Sequence, residues 1–199
     1  MPQPEARQAV LDLFRSTGAY LTGHFRLTSG LHSPAYLQCA LVLQHPRIAE
    51  DLGRRLAEAL AVLVKTEKVG LVASPAIGGL IIGHEVARAL GVRFIFAERD
   101  TSGKMTLRRG FEVTRGETAV VVEDVITTGG STREVLESLR ERGARVVAAG
   151  SIIDRSGGKV DLGVPRAALE ALVVDSFPPE TCPLCAQGVP VVKPGSRPT

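Results

Sequence analysis

Apolar residues recur at three- to four-residue spacing through Ile48, Leu52, Leu56, Leu60 and Leu63, behind a proline at 46. Proline suits the first turn of a helix, and that spacing lines the apolar positions along one face, which predicts a helix over about 46–65. The same periodicity puts Val135, Leu136 and Leu139 on one face of a helix over 131–142, closed by Gly143. Residues 79–90 read as a further helix closed by Gly91. Short continuous apolar runs lie between and after these segments, at 69–73, 92–97, 119–122, 145–153 and 169–174. Such runs mark strands buried on both faces. Alternating with amphipathic helices, they imply an α/β fold with a mainly parallel sheet flanked by helices.

Two stretches break the pattern. Residues 99–110 carry four basic residues and two glycines with little apolar content, and are expected to form a mobile loop. Residues 178–199 are rich in proline and glycine and read as a tail or a small appended element. There is no internal repeat and no low-complexity segment.

The 199 residues suit a single domain with a sizeable core. A formal net charge of +3 does not argue for nucleic-acid binding, so none is expected. No window approaches 18 consecutive apolar residues, so no membrane partner is expected either. The N-terminal stretch mixes charged and apolar residues at helical spacing rather than forming a leader's uncharged core. Three cysteines, an odd number, do not make a disulfide scaffold, and a reducing, cytoplasmic setting is expected. The basic residues are 19 Arg against 5 Lys, and arginine suits bidentate capture of phosphate and carboxylate.

The most informative stretch is Glu123-Asp124-Val125-Ile126-Thr127-Thr128-Gly129-Gly130-Ser131-Thr132, which follows the apolar run 119–122. It reads as a buried strand ending in two carboxylates, then a hydroxyl- and glycine-rich turn feeding a helix. Glycines let the backbone approach an anion, and a helix N-terminus offers free N–H groups and a favourable dipole to a phosphate. The acids repel phosphate but suit sugar hydroxyls or a hydrated divalent cation beside it. Sugar hydroxyls, a cation and a monophosphate in one site describe a phosphoribosyl group. The chain has no G-x-x-x-x-G-K-[ST], and no G-x-G-x-x-G follows a strand.

This stretch resembles the phosphoribosyl pyrophosphate (PRPP) motif of the type I phosphoribosyltransferases. The resemblance implies that Glu123 and Asp124 hold the ribose hydroxyls, and that Val125 through Ser131 hold the 5-phosphate. Further segments are similar to the orotate phosphoribosyltransferase family. Residues 25–38 resemble its N-terminal hood, with Tyr36 and Leu37 as hood surface; Ala76 and Ile77 fall in its pyrophosphate loop. Residues 98–111 resemble its catalytic loop, with Arg99, Lys104, Arg108 and Arg109 as candidate cations over the leaving pyrophosphate. Arg155, after a strand, matches the arginine that meets the orotate carboxylate, beside Thr127. The match runs from about residue 20 to 160. It implies a hood from about 1–45 joined by a C-terminal segment, and a core over about 46–175. Arg99, Lys104, Glu123 and Asp124 are the expected catalytic set, with Mg²⁺ carried on the substrate rather than in a protein cage. A homodimer is implied, with residues 99–110 completing the neighbouring site. The acidic-glycine stretch alone also fits a purine or xanthine phosphoribosyltransferase, or a non-catalytic PRPP-sensing regulator. The chain departs from the family where lysines are common, at Thr28, Ile77 and Asp100.

Cys182-Pro-Leu-Cys185 is half of a zinc site or a redox pair. A zinc site needs two more ligands, and Cys39 is the only other cysteine, although a second copy of the chain could supply another C-x-x-C. The four histidines, His32 among them, show no ligand spacing, so core or surface roles are expected. The favoured reading is structural or incidental thiols.

Overall fold

The computed structural model describes residues 4–27 and 29–194; residues 1–3, Thr28 and residues 195–199 lie outside the described residues. In chain order the elements are α1 (Pro4–Ser16), β1 (Tyr20–Arg26), β2 (His32–Leu37), α2 (Cys39–Leu43), α3 (Pro46–Val64), β3 (Leu71–Pro75), α4 (Gly79–Leu90), β4 (Arg93–Arg99), β5 (Met105–Leu107), β6 (Thr118–Ile126), α5 (Gly130–Glu141), β7 (Arg145–Asp154), β8 (Arg166–Ala171) and α6 (Pro183–Ala186).

The main sheet has strand order β5-β4-β3-β6-β7-β8, parallel throughout except for β5 on its edge. Successive residues point to opposite faces, which splits the core in two. Val72, Val120 and Val122 pack with Leu52, Leu56 and Leu60 of α3 and Ile82 and Val86 of α4. Leu71, Ala73, Ala119 and Val121 pack on the other face with Val135, Leu136 and Leu139 of α5. Each buried leucine contributes about 1.5–3 kcal/mol by leaving water, so the predicted apolar stripes are what fasten these helices to the sheet. Among the described residues no helix is long and apolar enough to cross a membrane.

A separate antiparallel pair, β1 with β2, stands against the carboxyl-end side of the sheet. The C-terminal segment runs beside it: Arg26 N–H donates to Val192 O, and His32 and Phe177 exchange both backbone hydrogen bonds at 2.8 Å.

Two expectations change. The strand expected over 119–122 continues to Ile126, because Glu123, Val125 and Ile126 pair with β7, so the two acids stand within the strand rather than at its end. The expected loop 99–110 is largely an antiparallel hairpin. Ala97, Glu98 and Arg99 pair with Leu107, Thr106 and Met105, and the alternate residues Met105 and Leu107 are buried. The Asp100 carboxylate closes its turn, accepting from the Ser102 hydroxyl and from the N–H groups of Ser102 and Lys104.

Candidate functional site

From β3 the chain moves outward to β4, and from β6 it moves the other way through β7 to β8. Ligands of open α/β sheets bind outside the carboxyl ends of the strands at such a reversal. A cleft of about 550 Å³ opens there. Its floor is the stretch from Glu123 to Thr132. Leu27, Ser29, Tyr36 and Leu37 form one wall, and Arg99, Glu134 and Arg155 stand at its edges.

The turn between β6 and α5 depends on Gly129, which has φ of 73°. A β-carbon there would be strained by that backbone and would also stand 2.7 Å from Val160 and 2.9 Å from Leu162. Gly130 then opens α5, so the free N–H groups and dipole of its first turn make an anion site at the cleft floor.

Beside that positive end lie the two acids. Glu123 is buried and Asp124 partly so. Asp124 N–H donates to Glu123 Oε1 at 3.3 Å, and Val125 N–H to Asp124 Oδ1 at 2.8 Å. Burial, with the Asp124 charge next to it, pushes the Glu123 carboxyl well above its usual range. Burial raises Asp124 as well, against its hydrogen bonds. The buried Cys39 thiol sits beneath the pair and is itself pushed well up by burial and the two carboxylates. Gly78 backs onto the pair, where a β-carbon would stand 2.7 Å from an Asp124 oxygen. Two carboxyls so desolvated favour a ligand that brings hydroxyl donors or positive charge.

Arg155 follows β7 and its N–H donates to Ile126 O at 2.8 Å, which fixes it against the turn. Its guanidinium is half-buried at the cleft, and desolvation lowers its pKa. Among the described residues it has no carboxylate partner. A half-buried charge without a protein counterion is the residue here most in need of an anionic ligand. Arg99 also borders the cleft but is engaged, with both guanidinium nitrogens 3.0 Å from Glu134 and one donating to Gly103 O at 2.6 Å.

The remaining expected residues lie outside this cleft. Ala76 and Ile77 sit on the loop after β3, joined by a cis peptide, with the Ile77 side chain 82% exposed. Lys104 borders a shallow hollow with Glu137, Ser138 and Glu141 of α5. Arg109 pairs with Glu98 at 2.9 Å, and Arg108 approaches the same carboxylate at 3.9 Å. One chain therefore brings Glu123, Asp124, the 125–131 turn, Tyr36, Leu37, Arg99 and Arg155 together, and leaves Lys104, Arg108 and Arg109 elsewhere. The cleft also uses Thr132, the last residue of the acidic-glycine stretch, and Leu27, Ser29 and Glu134, which the sequence does not mark individually. Leu27 and Ser29 fall inside the hood-like segment, and Glu134 comes one helical turn after Gly130 and so returns to the same end of α5. Those two signals were legible.

Comparison with known proteins gives this arrangement its relatives. The phosphoribosyl transferase domain family matches residues 41–163. An orotate phosphoribosyltransferase of Pelotomaculum thermopropionicum is 56% identical over 191 residues, covering 96% of this chain and 98% of that one. Another, of Heliobacterium modesticaldum, is 55% identical over 96% of this chain and 99% of its own length. Among solved structures, orotate phosphoribosyltransferase from Aeropyrum pernix superposes with a TM-score of 0.68 at 26% identity, covering 82% of this chain and 93% of that one. Matches of that extent and identity, on a chain whose paired acids and glycine turn sit at the sheet's reversal, show that it belongs to the orotate phosphoribosyltransferases, within the type I phosphoribosyltransferase family.

Proposed function

We propose that this cleft holds PRPP along Glu123–Ser131 and orotate against Arg155, and joins orotate N1 to ribose C1 with release of pyrophosphate. The product is orotidine 5'-monophosphate, the precursor of UMP in pyrimidine synthesis. The observation that carries the assignment is Arg155, a half-buried guanidinium at the cleft without a carboxylate partner among the described residues. Orotate is an anionic base, and a guanidinium gives its carboxylate two parallel charge-assisted hydrogen bonds, whereas neutral purines have no such group to offer. Thr127, Tyr36 and Leu37 line the same cleft and flank that base.

The remaining roles follow from charge. The turn at 127–131 and the start of α5 take the 5-phosphate, while Glu123 and Asp124 accept hydrogen bonds from the ribose hydroxyls. Positive charge builds on the ribose as the bond to pyrophosphate breaks, and these acids hold the ring in register for attack. The acid pair also fits a Mg²⁺ ion arriving on PRPP, which would neutralise the departing pyrophosphate. Within one chain the cleft sets three carboxylates, Glu123, Asp124 and Glu134, against Arg99 and Arg155. A substrate bearing a monophosphate and a diphosphate needs more cations than that. Lys104, Arg108 and Arg109 supply them from the partner of a homodimer, with residues 99–110 reaching over the neighbouring cleft beside its Ala76–Ile77 loop. In this reading β1, β2 and the C-terminal segment are the hood, and residues 46–175 the core.

The reading is tested by following loss of orotate absorbance with PRPP and Mg²⁺, beside parallel reactions with hypoxanthine, xanthine and uracil. Orotate alone is consumed, and Arg155→Met raises the KM for orotate by about 10- to 100-fold while the KM for PRPP stays within about twofold. Turnover of a purine without orotate, or an Arg155→Met enzyme with an unchanged orotate KM, overturns it.

A further inference from the structure

The C-terminal element presents a problem of stability that its apolar contacts do not solve. α6 has four residues and buries none of them, and the 3₁₀ turn before it, Pro179–Thr181, buries none either. Val189, Val191 and Val192 are substantially exposed. The segment is nonetheless fastened to β1 and β2, and at the point of attachment its Cys182 is only 2% exposed. A segment with almost no core of its own needs some other tie.

At that point four side chains from opposite ends of the chain converge. Cys182 and Cys185 meet His24 of β1 and His32 of β2, and their ligating atoms all lie within 4.8 Å of one another. Cys182 Sγ and Cys185 Sγ stand 3.5 Å and 3.6 Å from His24 Nε2, and Cys185 Sγ stands 3.2 Å from His32 Nδ1. A tetrahedral zinc with Zn–S of about 2.3 Å and Zn–N of about 2.0 Å puts sulfur and nitrogen roughly 3.5 Å apart, and two nitrogens roughly 3.3 Å apart. The sulfur–nitrogen separations stand near that edge length. The two ring nitrogens are at 2.8 Å and would part by about half an ångström around an ion.

Chemistry and orientation agree with geometry. The His24 Nδ1–H donates to Val189 O at 2.7 Å, which leaves Nε2 with its lone pair toward the cluster. A backbone carbonyl holding the far nitrogen of a ligating histidine is the usual way such a ring is fixed. Two thiolates and two imidazoles, closed to four with no open position, form the donor set of a structural zinc rather than a catalytic one. The missing two ligands of the C-x-x-C thus come from the hood hairpin of the same chain, not from Cys39 or a second copy. Histidine spacing alone could not reveal this, because the antiparallel pairing of β1 with β2 is what brings residues 24 and 32 together.

We propose that His24, His32, Cys182 and Cys185 bind a zinc ion that fastens the C-terminal segment to the hairpin forming the cleft's wall. The site is independent of the phosphoribosyl reaction and its tests read metal and structure. Protein purified without chelator carries one zinc per chain. Replacement by Co²⁺ gives the visible absorption of a tetrahedral thiolate complex. Cys185→Ser, at an exposed position that leaves the core intact, weakens zinc binding by at least about tenfold, and His32→Ala does the same from the other end of the chain. Chelation lowers the melting temperature and speeds hydrogen exchange in residues 177–194. Zinc reverses both and Mg²⁺ does not. Protein that binds no stoichiometric zinc or cobalt, a cobalt spectrum lacking thiolate bands, or a Cys182–Cys185 disulfide in freshly isolated reduced protein overturns the proposal.

Discussion

Glu123 pays for its position in stability. Its folded carboxyl titrates well above the usual range because of burial and the Asp124 charge, while in the unfolded chain it returns to about 4.5. A raised acid contributes stability that is fully present below the unfolded value and is lost as pH rises through the folded one. Where the pH is high enough to ionise it in the folded protein, the side chain is therefore a strain on the fold, and there Glu123→Gln raises the melting temperature by a few degrees. In the role proposed for Glu123, the same change exchanges a charged acceptor of a ribose hydroxyl for a neutral amide. In the proposed role the ionised carboxylate accepts more strongly than the neutral acid, so kcat/KM for PRPP climbs with pH above the ordinary carboxylate range. Glu123→Gln flattens that climb while lowering the rate. A pH profile of kcat/KM beside melting curves of both proteins checks the pair of effects; a variant neither more stable nor flatter in profile contradicts them. The carboxylates and the glycine turn were legible in sequence because their residue types are so ill suited to an ordinary strand end. The position of Arg99 was legible, but not its engagement by Glu134, since that pairing spans 35 residues and depends on how α5 leans on the β4–β5 hairpin.

Element boundaries follow from packing that local sequence carries only in part. Helices α3, α4 and α5 begin and end within a residue or so of the limits set by Pro46, Gly91 and the apolar stripes. The hairpin at 99–107 was hidden because its apolar content is two residues, Met105 and Leu107, whose burial needs α5 and β4 already in place. Gly53 in mid-α3 shows the same dependence on a partner. Helix propensity alone favours Gly→Ala there by about 1 kcal/mol. Here, however, a β-carbon would stand 2.4 Å from Glu85 Cβ and 2.8 Å from its carbonyl carbon, because α3 and α4 cross at that point. Backbone on a packed helix cannot swing aside as a side-chain tip can, and overpacking costs about 1–3 kcal/mol or more. The clash outweighs the propensity, so Gly53→Ala loses about 1–2 kcal/mol net in urea unfolding. A gain in stability contradicts so close a crossing.

At the scale of the whole molecule, the cations are divided between places that one chain does not unite. Arg155 and Arg99 stand at the cleft, whereas Lys104 borders the hollow beside Glu137 and Glu141 of α5 and Arg108 and Arg109 share Glu98. If Lys104 serves the cleft of the same chain, it must act past Glu134, which lines both its own hollow and the cleft and is paired with Arg99. If it serves a neighbour's cleft, it adds a cation to a site that one chain leaves with three carboxylates against two arginines. The two arrangements differ in a mixed population. In the proposed homodimer, Lys104→Ala and Asp124→Asn each inactivate the enzyme. When the two inactive proteins are unfolded together and refolded, half of the dimers are mixed by random pairing. In the shared arrangement such a dimer has one cleft with both defects and one with neither, so about a quarter of parental kcat returns, at parental KM for PRPP. With Lys104 acting inside its own chain, both clefts of the mixed dimer stay defective and nothing returns. Steady-state rates of the separate and the co-refolded proteins therefore decide between them, and the shortage of cations in the one-chain cleft favours recovery.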